Sequence, residues 1–226
     1  MNASCGSILV VAAHPDDETL GCGGSIARFA AAGAVVRVLI LGEGLTARLG
    51  PAPAEAMEEL RRDCRAACAV LGAAVPEFHA FPDNRFDTVP LLDIVKAVEA
   101  ACDASRPELI LTHHHGDLNI DHVITHRAVL TATRPTGARR IPRVWAFETP
   151  SATEWAFGQQ PFTPDTFVDI DATLDAKVRA MECYRSESCP APHPRAPASL
   201  RALAAVRGSA SGCLAAEAFK TVRNFM

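Results

Sequence analysis

Residues 7–18 read S-I-L-V-V-A-A-H-P-D-D-E, an unbroken apolar run that turns polar within one residue. The run lacks the apolar–polar alternation of a half-exposed strand, which predicts a buried strand over Ser7–Ala13. Helical spacing follows over Leu20–Ala32, with Gly33 as its stop. His14, Pro15, Asp16, Asp17 and Glu18 therefore sit where a buried strand hands over to a helix.

The same alternation continues outward. Ala34–Leu41 reads as the next strand. Over 54–72, Met57, Leu60, Cys64, Ala67, Cys68 and Leu71 fall on one helical face, and Gly72 ends it. Glu77–Phe81, Glu108–Thr112 and Arg143–Phe147 are predicted strands, and Val89–Ala104 and Asp121–Thr133 predicted helices. This order predicts an α/β, Rossmann-like fold, a mainly parallel sheet with helices on both faces. Ligands of such sheets bind beyond the carboxyl ends of the strands. The polar clusters 14–18 (HPDDE), 42–44 (GEG), 82–87 (PDNRFD) and 113–122 (HHHGDLNIDH) each follow a predicted strand, so all four fall at that edge. From about Thr149 prolines accumulate, around helices expected at Leu174–Tyr184 and from about Ser199 to Arg207. We read 1–226 as one domain, with about 150–226 as a short C-terminal cap over the site.

Composition narrows the function. Lys and Arg number 22 against 26 Asp and Glu, a net charge of −4 that offers no polycationic surface for nucleic acid or anionic membrane. No stretch approaches the roughly 18 apolar residues of a membrane span, and the first residues lack the basic start of a secretory signal. We therefore expect a cytoplasmic protein. Its eight cysteines form no C-x-x-C pair and are expected to be reduced and structural. The glycines at 21, 23 and 24 match neither a phosphate loop nor a dinucleotide fingerprint, which counts against a redox enzyme. Close packing of the helix on the sheet explains them better.

Two acids at a helix start have a plain explanation, since they cap the helix and favour its dipole. The cluster Asn119-Ile120-Asp121-His122 at the start of another helix adds a second one. Two histidines and one carboxylate from neighbouring strand ends are what a catalytic zinc site needs, three nitrogen and oxygen ligands with a fourth position open.

The run A-H-P-D-D-E-T-L-G-C-G-G over Ala13–Gly24, the pair Asp121-His122 opening a helix, and A-E-A-F at Ala216–Phe219 together resemble the LmbE-like, or PIG-L, superfamily of zinc-dependent N-deacetylases. The resemblance spans nearly the whole chain. It implies that His14, Asp17 and His122 hold Zn2+, with other divalent metals left open. Asp16 would be the general base, and the reaction removal of an acetyl group from an N-acetylated amino sugar, free or linked to a nucleotide, lipid or natural product. Adjacent residues leaving a strand point in different directions, which suits one acid to the metal and its neighbour to the attacking water. The family often forms symmetric assemblies, which leaves a homo-oligomer open.

One position departs from the family. The usual H-x-D-H has its first histidine replaced by Asn119, which can donate a hydrogen bond but not a proton near neutral pH. Either Asp16 does both jobs or the acid lies elsewhere. His113, His114, His115 and His193 are candidates, with His193-Pro194-Arg195 in a proline-stiffened loop able to reach over a sugar. Asp121 reads either as a partner orienting a nearby imidazole or as a helix cap, and His126, one turn on from His122, as a packed or supporting histidine. Asp83, Asn84 and Arg85, with His114, are the candidate substrate-binding residues, although Pro-Asp-Asn is also common turn chemistry. Glu43 and Arg48 are weaker ones. Rival readings are a zinc amidase acting on another acyl amide such as a thiol conjugate, and a non-catalytic binding protein of the same fold.

Overall fold

A computed structural model describes residues 6–49, 53–136 and 140–225. Cys5 and the side chain of Arg48 lie outside what it describes. Fourteen elements follow in order: β1 (Ser7–Ala12), α1 (Asp17–Ala31), β2 (Val35–Gly42), α2 (Thr46–Leu49), α3 (Ala54–Val70), β3 (Glu77–Phe81), α4 (Leu91–Ser105), β4 (Leu109–His113), α5 (Ile120–Ala132), β5 (Arg143–Phe147), β6 (Thr166–Asp169), α6 (Leu174–Cys183), α7 (Pro197–Ser211) and β7 (Ala216–Asn224). They build one seven-stranded sheet in the order β3-β2-β1-β4-β5-β7-β6. The first five strands of that order run parallel, while β7 pairs antiparallel with both β5 and β6.

The apolar run quoted first is the centre of the sheet. Ile8, Val10 and Ala12 point to one face and pack with Leu20 of α1, Leu60 of α3, Met181 of α6 and Leu200 of α7. Leu9, Val11 and Ala13 point to the other face, against Ile94 and Val98 of α4 and Val129 of α5. A strand buried on both faces has no polar positions to alternate with, which is why its sequence is continuous. Each Val, Leu or Ile side chain so withdrawn from water contributes about 1.5–3 kcal/mol.

The chain leaves β1 towards β2 and β3, then returns to place β4 on the other side of β1. The crevice between the ends of β1 and β4 is therefore the topological switch point, where open α/β sheets bind their ligands. His14 and Asp16 follow β1, and His113 ends β4.

The segment 150–225, expected to be a cap, adds β6 and β7 to the sheet. Both strands escaped the sequence reading because they are half-polar and carry no continuous apolar run. The glycines of α1 have packing roles. A Cβ on Gly21 would lie 2.2 Å from the Phe147 ring, and one on Gly24 2.8 Å from Ile170. The helix is broken at Cys22, whose φ is −147°. Groups freed by the break are taken up from the C-terminal segment. Gly24 N and Ser25 N donate to the two carboxylate oxygens of Glu217 at 2.9 and 2.7 Å. Lys177 Nζ donates to Leu20 O at 2.8 Å and to Glu217 at 2.6 Å. The glutamate of the A-E-A-F run is thus the cap of the second half of α1. No helix of the described residues is long and apolar enough to cross a membrane.

Candidate metal centre and active-site cavity

The turn after β1 and the turn before α5 bring three donor groups together. One ligand atom from each of His14, Asp17 and His122 lies within 4.8 Å of the other two, and all three residues are buried. Asp17 is the hub. Its Oδ2 accepts from His14 N at 2.8 Å, and lies 3.4 Å from His14 Nδ1 and 3.3 Å from His122 Nε2. The far nitrogen of each imidazole meets another carboxylate. His14 Nε2 is 2.9 Å from Asp121 Oδ2 and 3.1 Å from Asp83 Oδ1, while His122 Nδ1 is 3.1 Å from Asp117 Oδ1. A carboxylate behind each imidazole is the arrangement that fixes the ring and the nitrogen presented to a metal. The donor set and its backing carboxylates fit a divalent ion such as zinc.

Charge in this cluster is strongly perturbed. Burial works against a charged His14, but bonds to Asp121, Asp17 and Asp83 prevail and raise its pKa well above the usual value. The same contest moves His122 up to about 9, with burial opposed by Asp17 and Asp117. Burial would raise Asp17, yet the charge of His122, with hydrogen bonds from His122 and His14, holds it well below the usual carboxylate range. His113 behaves oppositely. Burial, and then the neighbouring His122 on which it stacks at 3.9 Å, push its pKa well down. Its Nε2 accepts from Ala13 N at 2.9 Å, so it is a neutral ring that ties β4 to β1.

Asp16 stands apart from the ligand cluster. Its backbone has φ 106° and ψ −30°, a region costly for any residue but glycine, by about 1–3 kcal/mol. Its N–H donates to Glu18 Oε2 at 3.1 Å. Glu18 is itself buried, accepting from Tyr184 and Thr19 at 2.5 and 2.7 Å. Asp16 Oδ2 meets Arg195 Nη1 at 2.6 Å. Arg195 is anchored in turn by Glu187 Oε2 and Ser151 Oγ, each at 2.7 Å. Burial raises the Asp16 pKa well above its ordinary value, against the opposing pull of Arg195.

These groups open into a cavity of about 450 Å3 lined by His14, Asp16, Asp17, His122, Asp83, Asn84, Asn119 and Arg195, with Leu118, Ile120 and Trp155 among the rest. Several sequence candidates lie elsewhere. Asp121 is fully buried behind His14, where its oxygens also accept from Asn84 N and Phe86 N. Arg85 is exposed and outside the lining. His114 contacts Gln160 O at 3.1 Å and the Phe162 ring, away from the cavity. His193 stands edge-on to Trp155 at 6.0 Å, so in that loop the arginine, not the histidine, reaches the site. His126 Nδ1 contacts His113 O at 2.8 Å, and burial moves its pKa down to about 4. Glu43 accepts from Thr46 at 3.3 Å. Asp117, Glu187 and Trp155 escaped the sequence reading. Asp117 lay within a polar cluster already marked, but nothing in its spacing separated it from a loop aspartate. None of the seven described cysteines is joined in a disulfide.

Comparison with known proteins fits this geometry. Residues 9–133 match the family described as PIG-L, GlcNAc-PI de-N-acetylase. A 1D-myo-inositol 2-acetamido-2-deoxy-alpha-D-glucopyranoside deacetylase of Rhodococcus jostii (strain RHA1) is 28% identical over 82% of this chain and 82% of its own. A 4-oxalmesaconate hydratase of Pseudomonas putida (strain KT2440) is 32% identical, over 83% of this chain and 76% of its own. The crystal structure of an A40926 pseudoaglycone deacetylase superposes with a TM-score of 0.73 and 25% identity, covering 98% of this chain and 99% of that one. The fold and these relatives together define a hydrolytic N-deacetylase built on a mainly parallel α/β sheet. The chain belongs to the PIG-L, GlcNAc-PI de-N-acetylase, family.

Proposed function

We propose that this protein hydrolyses the acetamido group of an N-acetylated amino sugar, using a divalent ion, zinc by donor chemistry, held by His14, Asp17 and His122. The observation that carries this is a carboxylate outside the ligand triad, Asp16, facing the same cavity as the triad. A zinc ion there supplies Lewis acidity, polarising the amide carbonyl and bringing the pKa of water down to about 7. Asp16 accepts the proton of the attacking water. It then gives that proton to the departing nitrogen, which must be protonated to leave as an amine. The raised pKa of Asp16 suits a group that has to hold a proton between the two steps. Asn119 is not a rival acid. Its Oδ1 accepts from Asp121 N at 2.9 Å, so it offers the cavity an amide NH2. Asp83 and Asn84 line the cavity and would bind sugar hydroxyls.

The hydratase relative raises the question of a carboxylated substrate. The cavity argues against one here. Asp16, Asp17, Asp83 and Glu187 line it, and Arg195 is already paired with two of them. A polycarboxylate would meet like charge on most sides, whereas the ammonium product of deacetylation would be attracted. The test is a panel of N-acetylated amino sugars and their glycosides, acylated thiol conjugates and 4-oxalmesaconate, with release of acetate and amine measured before and after chelation. Acetate release from a sugar, abolished by chelator and restored by zinc, is the expected result. Water addition to the polycarboxylate with no acetate from any sugar would overturn the proposal.

A further inference from the structure

Outside the cavity, the start of α1 meets α3 through a second cluster of donor groups. One ligand atom from each of Glu18, Cys64 and Cys68 lies within 4.8 Å of the other two, and all three residues are buried. Cys64 and Cys68 are one turn apart on α3, so both thiols leave the same face of that helix. Glu18 belongs to the first turn of α1. The plain explanation is that buried thiols pack as small hydrophobes, and both do sit in the core with Leu60 and Leu71.

Glu18 is what that explanation leaves out. Among the described residues its side-chain hydrogen-bond partners are all neutral: the hydroxyls of Tyr184 and Thr19 and the N–H of Asp16. A buried carboxylate is ordinarily paired with a cation or bound to a metal. The Tyr184 hydroxyl also hydrogen-bonds with Cys64, so oxygen and sulfur donors from α1, α3 and the end of α6 gather at one place inside the protein. Donors around a tetrahedral ion, with bonds of about 2.0–2.3 Å, stand about 3.5–4 Å apart. Small side-chain rotations would close the set.

We propose that Glu18, Cys64 and Cys68 form a second metal site, for a thiophilic divalent ion such as Zn2+ or Cd2+, separate from the cluster of His14, Asp17 and His122. Two thiolates and a carboxylate are a ligand set such ions favour, and the two thiol protons pass to solvent as the ion binds. The ion supplies the positive charge that the partners of Glu18 do not. Through the bond from Asp16 N to Glu18 Oε2 it also braces the strained turn.

Cadmium is the probe, because its bond to thiolate gives an ultraviolet charge-transfer band that imidazole and carboxylate ligands do not give. The reduced protein, equilibrated with Cd2+, is expected to hold about two ions per chain, one at each cluster, and to show the band. Cys64→Ser with Cys68→Ser should hold about one ion and lose the band. Cys183→Ser with Cys213→Ser, at partly exposed thiols outside the cluster, should behave as the wild type. Where circular dichroism shows the first pair unfolded, X-ray absorption at the cadmium edge of the second pair decides, with sulfur neighbours expected. A wild type without the band, a band that survives Cys64→Ser with Cys68→Ser, one equally lost from the second pair, or cadmium with only oxygen and nitrogen neighbours overturns the site. None of these readouts needs turnover, so a protein that releases no acetate from any sugar leaves this site standing, and a missing band leaves the proposed deacetylation standing.

Discussion

The two turns that build the site solve the same problem differently. Each follows a buried strand, opens a helix and delivers a histidine to the cluster. Before α5 the cap is conventional: Asn119 has φ −74° and its side chain accepts from Asp121 N. Before α1 the cap position is Asp16, with φ 106° and no side-chain bond to the helix. The first turn has given up a normal cap, and accepted strain, so that its carboxylate can face the cavity. Strain of this kind persists only where the surroundings over-determine it, and here Glu18 holds the backbone while Arg195 holds the side chain. The turns also interlock. Asp121 of the second backs His14 of the first, and Asp17 of the first faces His122 of the second.

The largest expected effect breaks the asymmetry at its strained end. Asp16→Asn should lower turnover by about 10^2–10^4-fold while zinc content, measured by metal analysis, stays near one ion per chain. Asp16→Gly should abolish turnover as well, yet raise the melting temperature by a few degrees, because glycine removes a strain of about 1–3 kcal/mol. A glycine variant that melts lower would mean the backbone there is not strained.

Much of this contrast was legible beforehand, for identifiable reasons. The parallel half of the sheet announces itself through continuous apolar runs, and the switch-point rule then gathers the polar clusters at one edge. His14, Asp16, Asp17 and His122 lie beside those runs. What stayed hidden depends on contacts across the chain. Arg195 reaches Asp16 across 179 positions, and Glu217 caps Gly24 and Ser25 across nearly two hundred. The direction of a loop side chain is likewise unreadable: His193 and Arg195 were both expected to reach over a sugar, and of the two Arg195 lines the cavity.

The next effects test whether the backing carboxylates are equivalent. Asp117→Ala and Asp121→Ala should each weaken zinc binding about 10–100-fold, read by competition with a chromophoric chelator. Asp121→Ala should lie at the upper end, since it also strands the N–H groups of Asn84 and Phe86. If Asp117→Ala leaves affinity intact, only the first turn's imidazole depends on its partner.

Protonation gives a smaller, graded effect. The ion-free protein favours protonated His122, whose pKa rises from 6.5 to about 9. A raised pKa contributes stability that is complete below 6.5 and is lost as pH climbs through about 9, so the ion-free protein should melt progressively lower across that window. Zinc must displace the same proton, so its affinity should rise about tenfold per pH unit between 7 and 8 for each proton released. A flat affinity over that unit would show that His122 is already neutral before the ion arrives.

The smallest effect falls at the conventional cap. Asn119→Ala should cost about 1 kcal/mol of stability, the ordinary worth of an N-cap side chain, and lower turnover by no more than about tenfold. Its oxygen is engaged by Asp121 N, so the substitution removes a helix cap before it removes anything the substrate needs. Loss of a donor that stabilises an oxyanion would instead cost about 10^2–10^3-fold. A fall of that size would place the Asn119 amide in the chemistry, and the division between one strained, reactive turn and one relaxed, supporting turn would no longer hold.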